Sequence, residues 1–599
     1  MFRERIDRLR VLMVERGIDL YVVPTDDYHL SEYVGDYFKT RKFLSGFTGS
    51  AGTLIVTKEE AGLFTDGRYF IQAEKELEGS GIILFRTGTA GVPTVEEYCA
   101  VYMQKHDVIG FDGRTVTKQF VDAIERKMNG KKLTCAYEED LAGSIWSDRP
   151  ELSAKPVSIL DERYAGERVS KKLERIRKIM KEKGAESHLL TSLDDIAWVF
   201  NIRGNDVENN PVALAYALIT DKNACLYLQK KTVSKEVEVS LGEAGVVIQE
   251  YDLIYDALRK QLSSCQSIML DVSKVNYALY SLIPEHCQKL EERNPSVMMK
   301  AIKNMTEIQN AKVIHIKDGV AVTKFMYWLK TNIGKTPMDE YSVGKKMDAM
   351  RLEIPECKDL SFDTICAYGA NAAMMHYSAK ENDCAELKTE NFLLVDCGGQ
   401  YLEGTTDVTR TFVLGELTAE QKKHFTAVVS GMLRLQNARF LYGCNGFNLD
   451  ILSRGAVWEM GIDYQCGTGH GVGSYLNVHE GPNGFRWKSN PGMKYDWSFE
   501  EGMITTDEPG VYIEGSHGIR IENELLCVKD VKNEWGQFMK FEVLTYVPID
   551  LDGIDVTYMH EKDLKMLNAY HAEVYKKLLP YMNEEEKLWL KNATRPLEI

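Results

Sequence analysis

The sequence predicts a protein of mixed α/β and α+β class. Two α/β domains of similar pattern come first, and a larger domain carrying the chemistry follows. Three observations predict this. The chain has 599 residues, more than one hydrophobic core organises when domains run to roughly 100–200 residues. A helix–glycine–strand pattern near the start is repeated near residue 170. Beyond residue 300, short apolar runs end again and again in a carboxylate or beside a histidine.

The first region, 1–155, opens with an amphipathic helix from Arg3 to Arg16, stopped by Gly17. A buried strand, Asp19 to Val23, follows and ends at Pro24-Thr25-Asp26-Asp27. Further strands are predicted at Thr53–Thr57 and Ala61–Thr65, then a second helix starting near Arg68-Tyr69-Phe70. Such alternation reads as an α/β unit. The second region, 156–298, restarts the pattern. A helix from Lys171 to Lys183 stops at Gly184, then come a strand and Asp194-Asp195. Met13 and Gly17 recur in Met180 and Gly184, and Asp26-Asp27 in Asp194-Asp195, the mark of a diverged duplication. The third region, 299–599, is predicted to begin with one helix from Lys300 to Leu329, striped by Ile302, Met305, Ile308, Val313, Ile316, Val320 and Met326. Gly-rich turns and strands are expected from there to about Ile549, and helix again over the last fifty residues.

Composition narrows the function classes. The net charge of −16 lacks the dense basic surface that phosphate backbones require, which argues against nucleic acid. No run approaches ~20 apolar residues, so no membrane span is expected. The N-terminus Met-Phe-Arg-Glu-Arg-Ile-Asp-Arg alternates charge and has no apolar segment of a signal peptide. The 12 cysteines are scattered without a C-x-x-C pair and read as reduced thiols, which implies a cytoplasmic setting.

The chemistry is concentrated in the third region. Phe392-Leu393-Leu394-Val395 runs into Asp396, and a second extended stretch carries Asp407 before Val408-Thr409-Arg410-Thr411. Paired as a hairpin, the two runs set both carboxylates on one face, where their repulsion calls for a cation. Gly467-Thr468-Gly469-His470-Gly471-Val472-Gly473 places an imidazole in a loop that approaches something closely. A dinucleotide loop fails on context, because no buried strand precedes it and no clear helix follows. His479 comes nine positions later. Met503-Ile504-Thr505-Thr506-Asp507 delivers Glu508 at a strand end. In Gly518-Ile519-Arg520-Ile521-Glu522-Asn523-Glu524, alternation turns Arg520, Glu522 and Glu524 to one face and Ile521 and Leu525 to the other. Each piece has an ordinary structural reading: acids flank strands, and an Arg beside an acid forms an ion pair. Together, Asp396, Asp407, His470, Glu508 and Glu522 meet the ligand demand of two divalent ions. Oxygen-rich donors with one nitrogen favour Mn2+, with Zn2+ or Co2+ as alternatives. Without a cysteine ligand, a structural zinc site is disfavoured.

That ordered set resembles the metal signature of the pita-bread metallopeptidases. The segment Gly467–Pro482, together with Asp194–Trp198, Asn201–Asp206, Asn210-Pro211-Val212, Phe47–Gly52 and Thr65–Tyr69, resembles the three-domain Xaa-Pro aminopeptidases. The resemblance implies two creatinase-like N-terminal α/β domains and a C-terminal pita-bread catalytic domain with a helical extension. It implies that Asp396 chelates one ion, that Asp407 and Glu522 bridge two, and that His470 and Glu508 complete the other. His376 and His479 match the family histidines that hold substrate and stabilise the tetrahedral intermediate. Glu508 matches the proton shuttle, and Arg520 a supporting arginine. One departure stands out: Cys466 occupies the place, four residues before His470, where many relatives carry histidine. Its ordinary reading is a small packed side chain. The implied activity is release of the N-terminal residue from peptides with proline second, by hydroxide attack at a two-metal centre. A homodimer is implied as well. Prolidase is a close rival reading, and a non-catalytic binding module on the same fold is a distant one.

Overall fold

A computed structural model describes residues 2–488 and 497–598. The chain divides into two compact units, one of residues 1–162 and 167–297, the other of 163–166 and 298–599.

The first unit holds two six-stranded mixed sheets. In strand order one runs Ile83–Arg86, Ala61–Thr65, Thr53–Thr57, Leu20–Pro24, Val108–Phe111, Thr134–Ala136. The other runs Val246–Glu250, Ala224–Leu228, Ala215–Thr220, Ser187–Leu190, Ser267–Leu270, Gln288–Glu291. Directions match strand for strand. Leu20–Pro24 is antiparallel to Thr53–Thr57 and parallel to Val108–Phe111; Ser187–Leu190 is antiparallel to Ala215–Thr220 and parallel to Ser267–Leu270. A duplicated unit produces this identity of order and direction. The opening helices, Phe2–Glu15 and Val169–Lys183, both end at a left-handed glycine, Gly17 (φ +68°) and Gly184 (φ +74°).

The second unit departs from expectation in three places. The single helix expected from Lys300 to Leu329 is two, Pro295–Ala301 and Met305–Asn332. Asn304 caps the second: its side chain accepts from Thr306 N and Glu307 N, and Glu307 returns a bond to Asn304 N. The apolar stripe bridged the break because Ile302, instead of continuing a helix, pairs with Met503.

Second, helices Glu340–Leu352, Ala419–Gln436 and Gly446–Trp458 occupy stretches expected to be turns and strands. Each opens with a reciprocal cap, at Asp339, Thr418 and Asn445. The buried face of Ala419–Gln436 includes Phe425, Val428, Val429, Met432 and Leu433.

Third, the run from Gly518 to Leu525 is not one strand. His517–Arg520 pairs with Gly510–Ile513, whereas Asn523–Asn533 joins a six-stranded sheet beside Ile504–Asp507. Ile521 and Leu525 therefore enter different cores, Ile521 with Val511 and Ile519, Leu525 with Phe485, Met503 and Phe541. Glu522 sits at the break.

The expected pairing of Phe392–Cys397 with Val408–Val413 is present, with Asp396 opposite Thr409. Asp407, two residues before Thr409, falls on the Asp396 side by strand alternation. Between them Gly399–Tyr401 and Gly404–Thr405 leave to form a small sheet with Cys357–Leu360. Helices Glu561–Leu578 and Glu584–Ala593 close the chain, as expected for its end. Among the described residues no helix is long and apolar enough to cross a membrane.

Candidate metal centre

Strand ends and strand breaks gather the polar groups. Asp396 lies in Phe392–Cys397, Asp407 just before Val408–Val413, His470 in Gly469–Gly471, Glu508 just after Ile504–Asp507, and Glu522 at the break before Asn523. Asp407, His470 and Glu522 each offer a ligand atom within 4.8 Å of the others. His470 Nε2 is 3.5 Å from Asp407 Oδ2 and 3.5 Å from Glu508 Oε1. Its Nδ1 lies 2.9 Å from Gly471 O and donates there, so Nε2 is the nitrogen that faces the carboxylates.

Among the five candidate ligands, two buried oxygens meet no protein donor. Asp396 Oδ1 and Glu522 Oε1 are buried and accept no hydrogen bond. A buried carboxylate oxygen without a donor costs free energy unless a cation faces it. Electrostatics agree. Burial pushes Asp407 up to about 6, with Asp396 and Glu508 adding and His470 opposing. Burial, then Asp407, Glu508 and Asp396, drives Glu522 well above the carboxylate range. Burial opposes the charged form of His470, yet the hydrogen bond to Asp407 and the charge of Glu508 hold it up at about 9. A divalent ion reverses all of these costs, so the donor set fits such an ion.

Surrounding groups fix the donors. Arg520 bonds Asp396 Oδ2 through Nη2 and, at 3.2 Å, through Nε, while its Nη1 donates to Tyr512 OH at 2.8 Å. Thr409 Oγ1 donates to Glu522 Oε2 at 2.8 Å. Thr506 Oγ1 accepts from His470 N at 3.0 Å and lies 3.3 Å from Glu508 Oε1. Glu524 Oε1 accepts from Asp407 N at 2.7 Å, and its Oε2 pairs with His315 Nε2 at 3.0 Å. The sequence reading missed Thr409, Thr506 and His315 and gave Glu524 no role. Alternation could have found the two threonines: Thr409 is two residues from Asp407, and Thr506 two from Glu508.

The outer residues are placed as follows. The His479 ring stands edge-on to the His470 ring, centroids 4.3 Å apart. His479 is followed by Glu480, a buried acid clamped by Lys303 and, at 3.7 Å, by Lys300. His376 lies between Met375, whose carbonyl accepts from Arg520 Nη2 at 3.4 Å, and Tyr377, whose hydroxyl donates to Glu340. Arg520 thus links the Asp396 carboxylate to the His376 segment. Cys466 packs partly buried against the core of Phe425, Val429 and Tyr464, and its carbonyl accepts from Arg454 Nη2 at 2.9 Å.

Family models match along the whole chain. "Creatinase/Prolidase N-terminal domain" covers residues 5–139 and again 148–307. "Metallopeptidase family M24" covers 309–529, and the C-terminal region of that peptidase 537–597. A probable Xaa-Pro aminopeptidase P of Botryotinia fuckeliana is 37% identical over 614 residues, 99% of this chain and 93% of the relative. Its counterpart in Paracoccidioides brasiliensis strain Pb18 is 37% identical over 620 residues, 99% of each. The chain belongs to the Xaa-Pro aminopeptidase family. It is a metallo-exopeptidase, with two creatinase-type N-terminal domains before the M24 catalytic domain. The family fold is seen in the crystal structure of an X-prolyl aminopeptidase from Caenorhabditis elegans, described as a cytosolic enzyme with a di-nuclear active site. It matches with a TM-score of 0.94 and 33% identity over the full length of both chains.

Proposed function

We propose that this enzyme removes the N-terminal residue from peptides whose second residue is proline, using two divalent ions held by Asp396, Asp407, His470, Glu508 and Glu522. The observation that carries the reading is the pair of buried, donorless oxygens, Asp396 Oδ1 and Glu522 Oε1, beside the Asp407–His470–Glu522 cluster. In this assignment Asp407 and Glu522 would serve both ions, Asp396 one, and His470 and Glu508 the other. The oxygen-rich donor set favours Mn2+, with Zn2+ or Co2+ as alternatives.

When bound, such ions polarise a carbonyl and lower the pKa of water from ~15.7 towards ~7. The rest falls to side chains. The carboxylate cluster attracts the ammonium of a free amino terminus, which suits an exopeptidase. His479, held edge-on to His470, and His376, beside the Arg520 contact, hold the scissile carbonyl and the charge that develops on it. Glu508 moves the proton towards the leaving nitrogen. Arg520 keeps Asp396 oriented, and Cys466 packs against the core without a chemical role. We read the domains as 1–155, 156–298 and 299–599 and expect a homodimer; a cytosolic location, as described for the nematode relative, is expected as well.

The test is hydrolysis of Arg-Pro-Pro with and without Mn2+, by wild type and Asp407→Asn. Release of Arg that depends on Mn2+ and disappears in the variant is expected. Equal activity in both proteins would sink the mechanism. Cleavage of Xaa-Pro dipeptides alone would reassign the enzyme as a dipeptidase.

A further inference from the structure

Glu340 is the first residue of helix Glu340–Leu352 and is fully buried. Four groups give its carboxylate five hydrogen bonds, and none of the four is charged. Tyr368 N donates to Oε1 at 2.6 Å; Asn371 Nδ2 reaches both oxygens, at 3.0 and 3.1 Å. Tyr377 OH donates to Oε2 at 2.7 Å, and Ala385 N at 2.8 Å. The Glu340 main-chain N–H donates in turn to Ala385 O at 3.1 Å. The start of a 13-residue helix adds its favourable dipole. Every group facing the side chain is a donor, so an acceptor-only carboxylate fits and an amide does not.

The donors come from one irregular segment and from Ala385 beyond it. Tyr368 to Tyr377 contains the short 3-10 turn Gly369–Ala373 and then Met375-His376-Tyr377. Its opposite flank rests on the strand of Arg520. A Cβ on Gly518 would stand 1.8 Å from Ala372 O, and Arg520 Nη2 contacts Met375 O at 3.4 Å. The segment is therefore gripped from two sides, by the metal-centre strand at Ala372 and Met375 and by Glu340 at Tyr368, Asn371 and Tyr377. His376 lies directly between the two grips.

We infer that Glu340 is the positioning residue of His376: by tying Tyr368, Asn371, Tyr377 and Ala385 together it fixes the segment that presents this imidazole to the substrate. The inference rests on the reading of His376 as a substrate-holding group. Small errors in placement of such a group are costly, since a shift of about 1 Å lowers rates by about a hundredfold.

The test is a double-mutant cycle on the full-length, Mn2+-loaded enzyme with Arg-Pro-Pro, using Glu340→Gln, Tyr377→Phe, His376→Ala and the two doubles with His376→Ala. Glu340→Gln is expected to lower kcat/KM by roughly ten- to a hundredfold, and Tyr377→Phe by about threefold. On the His376→Ala background each should cost less than about twofold, because residues acting through one group are not additive. Mn2+ affinity by calorimetry should stay within about twofold of wild type, since the proposed ligands lie on other strands. Losses that multiply in the doubles, a parallel fall in metal affinity, or full activity of both Glu340→Gln and Tyr377→Phe would overturn the proposal. If Glu340→Gln does not fold, the Tyr377→Phe cycle decides. Absence of wild-type hydrolysis, or full activity of His376→Ala, would count against the functional reading instead. The positioning role is then read directly from the His376 imidazole resonances and the exchange rates of the Tyr368 and Ala385 amides. Altered resonances with faster exchange in Tyr377→Phe support it, and unchanged ones refute it.

Discussion

The metal centre and the Glu340 anchor are both built on carboxylates removed from water, and they answer that problem in opposite ways. Both oxygens of Glu340 are met by neutral donors. Glu480, equally buried, is closed by Lys303 and Lys300. Asp396 and Glu522 each keep one oxygen that nothing meets, although Arg520 and Thr409 satisfy the other. All four are carboxylates taken out of water; what differs is the acceptor capacity left over. Among these four acids, the oxygens left unmet are those of the proposed metal site, and the acids whose oxygens are met belong to its surroundings.

The largest effect should come from an acid of the first kind. Glu522→Gln is expected to lower kcat/KM by a factor on the order of 10^4, the several kcal/mol that metal assistance supplies, and to weaken Mn2+ binding by calorimetry. In the presence of chelator its melting temperature should equal or exceed that of wild type. The amide is neutral in the folded and the unfolded chain alike, so it avoids the cost of protonating a carboxyl whose charged form burial, Asp407, Glu508 and Asp396 all oppose. A clear drop in the metal-free melting temperature would erase the distinction between the two kinds of acid.

Lys303→Met tests the second kind. It leaves Glu480 buried with Lys300 at 3.7 Å as its remaining cationic contact in this clamp. Breaking a buried ion pair costs about 3–5 kcal/mol, which urea unfolding should register even with metal bound. A loss below about 1 kcal/mol would mean that the Glu480 clamp is dispensable to the scaffold.

Two imidazoles extend the contrast. His470 is held up at about 9 by the acids it faces. His571 is depressed to about 3 by burial and by Arg410 and Arg595, and its Nε2 accepts Ile549 N–H at 3.0 Å. In the unfolded chain His571 takes a proton near 6.5, whereas the folded protein refuses it until about 3. Its stabilising contribution is complete above pH 6.5 and declines as pH falls towards 3. Between pH 6.5 and 5 the loss is about 2 kcal/mol. His571→Gln, which can still accept from Ile549, should flatten the dependence of urea stability on pH in that window. An unchanged slope would show that His571 does not set it.

How much of this was legible follows from where the information lies. The strands Thr53–Thr57 and Ala61–Thr65 were readable to the residue, because apolar runs between turn residues are local signals. Asp396, Asp407, His470, Glu508 and Glu522 drew notice for the same reason: each closes or interrupts a short apolar or Gly-rich run. Glu340 did not, because its donors lie 28 to 45 residues away and follow no period. The helix Ala419–Gln436 was missed although Thr418 and Gln421 form a readable cap, since nearby glycines and strand signals drew the whole stretch into one class. The break before Asn523 could not be read from alternation, which continues through it; two different cores decide it.

The break at Ile302–Asn304 supplies the smallest effect. Asn304 obeys the same rule as Glu340, an acceptor placed against donors, but without buried charge: its Oδ1 meets Thr306 N at 2.9 Å and Glu307 N at 3.0 Å. If cost follows buried charge rather than the number of bonds, Asn304→Ala should lose only about 1 kcal/mol, the ordinary value of a helix cap, against the larger loss from Lys303→Met next to it. Circular dichroism should show the helix Met305–Asn332 retained. Should Asn304→Ala instead leave stability unchanged, the break would be set by the pairing of Ile302 with Met503 and by the Lys303 N–H bond to Gly502 O at 3.1 Å. The capping residue would then be a consequence of the break and not its cause.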